Sequence, residues 1–578
     1  MVSRRAGAGA ALRLVPWLVT AAALALGAWR AAEAWWTTDD AFISFRYARN
    51  LVEGQGLVFN PGERVEGFTN LLWTLWVAAG LALGAGAEAW ANACGLAAYL
   101  ATGVLLTAAP RLVGSRLAAG ALPIAALGAA LHPDWIAWAT GGLETSAFTL
   151  LALTGCLLAA RGLERPRWQL AAGAALGLAA LTRPDGVLLA AVTGTFALLF
   201  GRPRLGAGAL HAAGFLVPWL PATAWRVAYY GDFFPNTYYA KSAYLAWYEQ
   251  GWHYLTLYYA RYWPLLLAPA LLALAALLER RRRGLGAAAV ADPARGAAWL
   301  GLAMATVYTA YVVRVGGDFM YARLLVPTAP LLLLGLEQGC LALAPRRPWV
   351  GACLGAGLLA ALALTPHPLP GPAKRHGVSN ERAYYSPARV AALDHMAEVL
   401  GRAFAGLPVR VAFFGSEARV AYRARFPVAI ESRAGLTDRE IARQPLAQRG
   451  RVGHEKLATP SYLIERRRAH ITFHPMAPGL LDLDRAIPRV YARFDARVVG
   501  RLLHWDPPLM DALRARGVEI QDFPAMLDAT IAGLDASPDH EVQRSYQQLR
   551  RFYFLHVDDP EREAAFLRRL AAAAPTPP

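Results

Sequence analysis

The chain has 578 residues, of which 56% are hydrophobic and 17% charged, where soluble domains run closer to a quarter charged. That composition excludes an ordinary soluble globular protein. The formal net charge of +17 is nearly all arginine, with only Lys241, Lys374 and Lys456 as lysines; the basic runs sit at the ends of apolar segments, as membrane anchors do, so nucleic acid is discounted as a partner.

Residues 1–365 hold 27 basic and 17 acidic side chains, and residues 366–578 hold 31 and 24. The split predicts a multi-spanning α-helical membrane domain over 1–365 followed by a soluble domain over 366–578. Arg4, Arg5 and Arg13 precede an apolar run from Leu14 to Ala32 without a cleavage site, which predicts a retained first helix. A bilayer crossing takes about 20 apolar residues. About twelve segments qualify, near 12–32, 68–86, 89–109, 116–133, 145–161, 168–182, 186–200, 208–229, 262–279, 296–313, 323–343 and 349–365.

Short arginine-bearing loops (Arg111 and Arg116, Arg165 and Arg167, Arg202 and Arg204, Arg280 to Arg283, Arg346 and Arg347) are placed in the cytoplasm by the positive-inside rule. The opposite face then collects loops 33–67, 133–145, 183–186, 230–261 and 314–322. The C-terminal domain joins them only if one segment between 68 and 109 is re-entrant or interfacial, which leaves about eleven crossings. The expected location is a bacterial inner membrane, with the C-terminal domain extracytoplasmic.

Pro366, Pro368, Pro370 and Pro372 open the soluble part and suit a domain boundary. Residues 409–414 and 427–431 read as strands of a small α/β domain, with Gly415 at a turn and a short helix between them. Residues 509–570 read as mainly helical. Cys94, Cys156, Cys340 and Cys353 all lie in apolar stretches, so neither a disulfide framework nor a zinc cluster is expected.

The strongest chemical signal is Asp39-Asp40, directly after the first apolar helix. Adjacent carboxylates at a membrane surface repel and are costly to desolvate, so they point to a bound cation or a handled proton. A helix cap at Thr38 or Asp39 is the bland alternative, and it is compatible with catalysis. The rest of that loop, with Asn60, Glu63, Arg64 and Glu66, is turn-rich and polar close to the bilayer, as cavity-lining segments are.

Arg183, Lys241, Arg314 and Arg323 fall on the same expected face, with Asp232, Asn236 and Asp318 among their neighbours. Guanidinium and ammonium groups gathered there suit a phosphate. The aromatic residues between Trp225 and Trp263 are expected to be mostly an interfacial belt.

This arrangement resembles the GT-C superfamily of multi-spanning glycosyltransferases. More narrowly, Asp39-Asp40-Ala41-Phe42-Ile43, the run Phe59 to Glu66, Gly317-Asp318-Phe319-Met320 with Arg323, Gly435-Leu436-Thr437-Asp438 and Gly453-His454-Glu455-Lys456 resemble the mycobacterial terminal arabinofuranosyltransferases. The likeness covers the membrane domain and the first half of the soluble one.

It implies transfer of a sugar, arabinofuranose in those relatives, from a polyprenyl phosphate donor to a cell-envelope glycan acceptor. In that frame Arg183, Lys241 and Arg323, with Arg314 as a further candidate, clamp the phosphate. Asp39 or Asp40 acts as general base, orients its neighbour or holds a divalent cation. If donor and product share anomeric configuration, in-line displacement fails, and a carboxylate nucleophile or a front-face route is required. Asn60, Glu66, Asp232, Asn236, Asp318, His454, Glu455 and Lys456 are the candidate substrate contacts. The competing class, a flippase of lipid-linked sugars, predicts pseudo-symmetric halves with matching broken helices, and the sequence has neither.

Overall fold

The computed structural model describes residues 2–114, 122–283, 293–343, 347–413, 417–473 and 482–573. Two compact units emerge. The first comprises residues 1–52, 68–233 and 243–385, and the second comprises 53–67, 234–242 and 386–578. The units thus part downstream of the composition change at 365/366, because residues 374–385 are tied into the first unit. Ser379 N–H donates to Phe319 O at 2.8 Å, and Tyr321 N–H donates to Ser379 O at 3.0 Å.

The first unit is a bundle of apolar helices, and the protein is a multi-pass α-helical membrane protein. Among the described residues six helices are long and apolar enough to cross a bilayer: Leu14–Glu33, Ala87–Leu112, Arg204–Tyr230, Tyr248–Arg281, Pro293–Arg314 and Val326–Leu343. Shorter apolar helices cover Leu71–Ala82, Thr145–Arg161, Gly186–Phe200 and Trp349–Leu364. At 1.5 Å per residue the helix Leu71–Ala82 is about 18 Å long, short of the bilayer core.

The segment expected to span 116–133 lies partly outside the described residues. Its described part is the short helix Ile124–Ala130, followed by the helix Pro133–Ala139. Pro133 cannot continue the first and is placed at the first turn of the second, where a missing N–H costs nothing. Small residues then let helices approach closely. Gly173 and Gly177 of the helix Arg167–Thr182 lie against the backbone of His211 and Phe215, the small-residue packing that membrane helices favour.

The segment expected as a polar loop over 33–67 is corrected in two ways. Residues Asp39–Val52 form a helix whose Phe42, Phe45 and Ala48 are buried at helical spacing, and residues 53–67 belong to the second unit.

The second unit is built on a six-stranded mixed sheet. Its strands are β1 (Arg410–Phe413), β2 (Val428–Glu431), β3 (Ile471–Thr472), β4 (Tyr491–Arg493), β5 (Val499–Leu502) and β6 (Glu519–Ile520), in the order β2-β1-β3-β5-β4-β6. β1 pairs in parallel with β2 and β3, with Val411 opposite both Ala429 and Ile471. The remaining pairs are antiparallel. The helix Ala418–Arg423 makes the crossover between β1 and β2. Gly415 lies outside the described residues.

The helix Pro507–Arg514 links β5 to β6, and the helices Phe523–Ala532, Asp539–Leu549 and Pro560–Ala573 follow the sheet. Asp506 caps the helix Pro507–Arg514, accepting Leu509 N–H at 3.1 Å. The inserted piece 53–67 is stitched to β2 like an added strand residue. Asn60 Nδ2 donates to Ala429 O at 2.9 Å and Asn60 Oδ1 accepts Ala429 N–H at 2.9 Å.

Candidate active site

In the first unit the centre of the site is Glu144, at the start of the helix Thr145–Arg161 and 2% exposed. Three side chains converge on its carboxylate. Asn70 Nδ2 donates to Oε2 at 2.9 Å, Arg323 Nη2 to Oε1 at 3.1 Å and Arg183 Nη1 to Oε1 at 3.3 Å. Burial pushes the Glu144 carboxyl up, but Arg323, Arg183 and the Asn70 amide together hold it below the ordinary glutamate range. It is a carboxylate at neutral pH.

Each arginine is fixed by its own chain segment. Arg183 ends the helix Arg167–Thr182 in an extended conformation, with Pro184 barring continuation. Its guanidinium grips Asp185 through two bonds of 3.1 and 2.7 Å and lies 5.4 Å from the Phe148 ring centroid. Asp185 in turn accepts the Tyr308 hydroxyl at 2.9 Å.

Arg323 closes the loop 315–323, where Gly316 and Gly317 take φ of 88° and 71°. A side chain at Gly317 would run into the Tyr254 ring. The Tyr254 hydroxyl donates to Met320 O and accepts Leu324 N–H, both at 3.1 Å, which pins the loop from both ends. Arg323 Nη1 pairs with Asp318 at 3.3 Å.

Asp39 and Asp40 open their helix in its first turn, Asp39 buried and Asp40 half-buried. The capping alternative at Thr38 is not seen: Thr38 Oγ1 is buried and has no hydrogen-bond partner among the described residues. Burial alone would lower the Arg323 guanidinium, but Glu144, Asp318 and then Asp40 hold it protonated above its ordinary range. Asp40 therefore sits within electrostatic reach of Arg323. Ser44, one turn along from Asp40, donates to Asn70 Oδ1 at 3.0 Å, linking the Asp40-bearing helix to Glu144.

Several buried polar atoms around this network have no partner among the described residues: Arg323 Nε and the hydroxyls of Thr38, Thr140 and Thr145. Orphaned buried donors are rare in native proteins and mark where a ligand or ordered water completes the set. As for a cation, successive helix residues point about 100° apart. Among the described residues the Asp pair joins no group of three or more carboxylate, imidazole or thiol ligand atoms close enough to share a metal. An ion there would draw its remaining ligands from substrate or water.

The other expected residues are placed as follows. Arg314 is exposed at the end of its helix and has no ion pair among the described residues. Asp232 lies in the first unit, while Asn60, Glu66, Asn236, Lys241, His454, Glu455 and Lys456 belong to the second. There Asn236 Nδ2 donates to the carbonyls of Gly435, Leu436 and Asp438 at 2.9, 2.9 and 3.2 Å. Lys456 Nζ donates to Tyr239 O at 2.7 Å and also to Ala442 O. Glu455 pairs with Arg449 at 3.3 Å. These side chains fix the loops that carry them. Burial, with Arg451 beside it, pushes the His454 ring down to about 3, so it is neutral at physiological pH and a poor proton carrier there.

Sequence reasoning missed Glu144 and Asn70 as site residues, and Asp185 as the partner of Arg183. It also missed Glu431, 7% exposed at the end of β2. Its carboxyl accepts Leu436 N–H at 2.7 Å, yet burial pushes it up to about 8. A carboxyl whose folded value exceeds its unfolded one stabilises fully below the unfolded value, near 4.5, and loses that contribution as pH rises through about 8. Between pH 5 and pH 9 Glu431→Gln is therefore expected to gain on the parent protein by about 3–5 kcal/mol. Thermal melts of both across that range check this, and parallel curves would refute it.

No family model matches the chain. Among curated proteins it is 32% identical over 364 residues to the terminal β-(1→2)-arabinofuranosyltransferase of Mycobacterium tuberculosis, covering 56% of this chain and 55% of that protein. To the protein of the same name from Corynebacterium glutamicum it is 33% identical over 332 residues, covering 52% and 47%. The chain thus spans about half the length of the curated relatives it matches.

Among solved structures it aligns with the crystal structure of ArnT from Cupriavidus metallidurans bound to undecaprenyl phosphate, at a TM-score of 0.54 and 15% identity, over 86% of this chain and 99% of that one. The apo form of the same protein aligns equally well, at 0.54 and 14%. The fold is ArnT-like. That agrees with the GT-C architecture expected from the sequence, and the similarity to terminal arabinofuranosyltransferases agrees with its narrower resemblance.

Proposed function

We propose that the protein is a membrane glycosyltransferase that moves a sugar, arabinofuranose by analogy with its named relatives, from a polyprenyl phosphate donor to a cell-envelope glycan. One observation carries the reading: two buried arginines share Glu144, one of them is within reach of the Asp40 charge, and Arg323 Nε and three neighbouring hydroxyls lack partners. Those are donors waiting for an anionic, oxygen-rich ligand.

In this mechanism Glu144 and Asn70 hold the guanidinium groups in place. Arg323, with Arg183 behind it, takes the charge that grows on the phosphate as the bond to the anomeric carbon breaks. Preorganised donors of this kind stabilise a leaving group without having to reorganise. Asp40 accepts the proton of the acceptor hydroxyl. Asp39, more deeply buried, holds the start of the helix. The second unit recognises the acceptor. The deciding test is transfer from a synthetic polyprenyl phosphate arabinofuranose in detergent, with the Asp40→Asn protein as control. No transfer by the parent protein from this or any other polyprenyl phosphate sugar would sink the reading.

The same proposal sets the topology: about eleven crossings in a bacterial inner membrane, with Asp40, Arg323 and residues 386–578 extracytoplasmic. Single cysteines introduced at positions 40 and 450, with the native cysteines replaced, should react with an impermeant maleimide in intact cells. Protection until lysis would reverse the orientation.

A further inference from the structure

In the second unit three imidazoles and a carboxylate gather away from the residues discussed above. His470 precedes β3, His504 and Asp506 follow β5, and His556 follows the helical turn Arg550–Phe554. The rings of His470 and His504 lie 4.5 Å apart between centroids, and those of His504 and His556 lie 4.3 Å apart. Ligand atoms of His470, His504 and Asp506 all fall within 4.8 Å of one another.

The hydrogen bonds fix the tautomers. His504 Nδ1 lies 2.9 Å from Ala469 O and His556 Nε2 lies 3.0 Å from Arg551 O. A carbonyl only accepts, so both nitrogens carry protons, and the lone pairs are on His504 Nε2 and His556 Nδ1. Neither of these has a hydrogen-bond partner among the described residues. A ring whose other N–H is held by a backbone carbonyl is the usual arrangement of a metal-bound histidine.

His470 is the reverse case. Its Nδ1 accepts Arg410 N–H at 2.9 Å, so the proton is on Nε2, 3.5 Å from Asp506 Oδ2. It supports the carboxylate rather than offering a lone pair.

We propose that His504 Nε2, His556 Nδ1 and Asp506 Oδ2 bind a divalent first-row transition metal, with His470 orienting Asp506. Two nitrogens and one oxygen suit Zn²⁺ rather than Mg²⁺ or Ca²⁺, and three protein ligands leave a fourth position for water. Asp506 and Glu465 offset the Arg468 charge at this place. The ion would brace the sheet against the C-terminal helices, since His504 ends a strand segment and His556 belongs to the helical part.

The test uses the full chain without an affinity tag, stripped with chelator and titrated with Co²⁺ alone, following its visible absorption. One equivalent should bind saturably, Zn²⁺ should displace it, and Zn²⁺ should raise the melting temperature. His504→Ala and Asp506→Asn should each weaken binding at least tenfold. Asparagine preserves the helix cap at 506, so that variant keeps its fold, which its metal-free melt checks. His556→Ala should weaken binding similarly, and His470→Ala less. Absence of saturable binding, or undiminished affinity in both His504→Ala and Asp506→Asn, overturns the site. Loss in His470→Ala with none in His556→Ala overturns the ligand assignment.

Discussion

Asp40→Asn is expected to lower kcat by about 10² or more, the usual scale for removing a positioned base, with little change in the melting temperature. Asparagine keeps the size and a hydrogen-bonding oxygen but cannot take a proton. The position is half-buried in the first turn of its helix, where a carboxylate contributes about 1–2 kcal/mol at most through the helix dipole, part of which the asparagine dipole retains. The structural loss is therefore small against the catalytic one. Arg323 keeps Glu144 and Asp318 as counter-charges in the variant, so donor KM should hardly move. A variant with near-parental kcat and normal expression would reduce Asp40 to a helix-terminal charge and would leave the proposed mechanism without its base.

Much of the membrane fold was legible because hydropathy is a local property: each of the expected apolar segments with described residues contains a helix. The strand expectations at 409–414 and 427–431 match β1 and β2 for the same reason. What escaped is non-local. Residues 53–67 join the second unit through contacts such as Asn60 with Ala429, 369 positions away, and nothing in the sequence of that stretch announces the pairing. The helix Asp39–Val52 was legible only as the capping alternative at Thr38 or Asp39, because the polar residues near its end and the glycine-rich stretch after it read as one loop over 33–67.

Glu144 was hidden more thoroughly. After Gly141-Gly142-Leu143 it reads as an ordinary acidic residue at a helix start. Its importance appears only when Arg183 and Arg323, 39 and 179 positions away, arrive on the same oxygen.

Glu144→Gln is therefore expected to have the largest effect on stability among substitutions in the first unit. The parent network balances two buried guanidinium groups against Glu144, Asp185 and Asp318. Removing one carboxylate charge leaves the arginines facing each other with less compensation, and breaking a buried pair in this way costs about 3–5 kcal/mol. Glutamine Oε1 can still accept from both arginines, but its amide nitrogen cannot accept from Asn70, so one of the three present bonds becomes a clash of donors.

The expected result is a lower melting temperature together with a raised donor KM, as the two arginines lose the shared negative charge that holds them. Adding Asn70→Asp to Glu144→Gln separates the two causes. The pair then swaps positions of amide and carboxylate, restoring the local charge and a complementary hydrogen bond. Recovery of stability without recovery of donor KM would show that Glu144 sets the aim of Arg183 and Arg323. Recovery of both would make the charge alone sufficient. A single Glu144→Gln protein with parental melting and parental donor KM would show that the arginines do not depend on Glu144 at all, and the proposed phosphate site would have to be sought elsewhere in the unit.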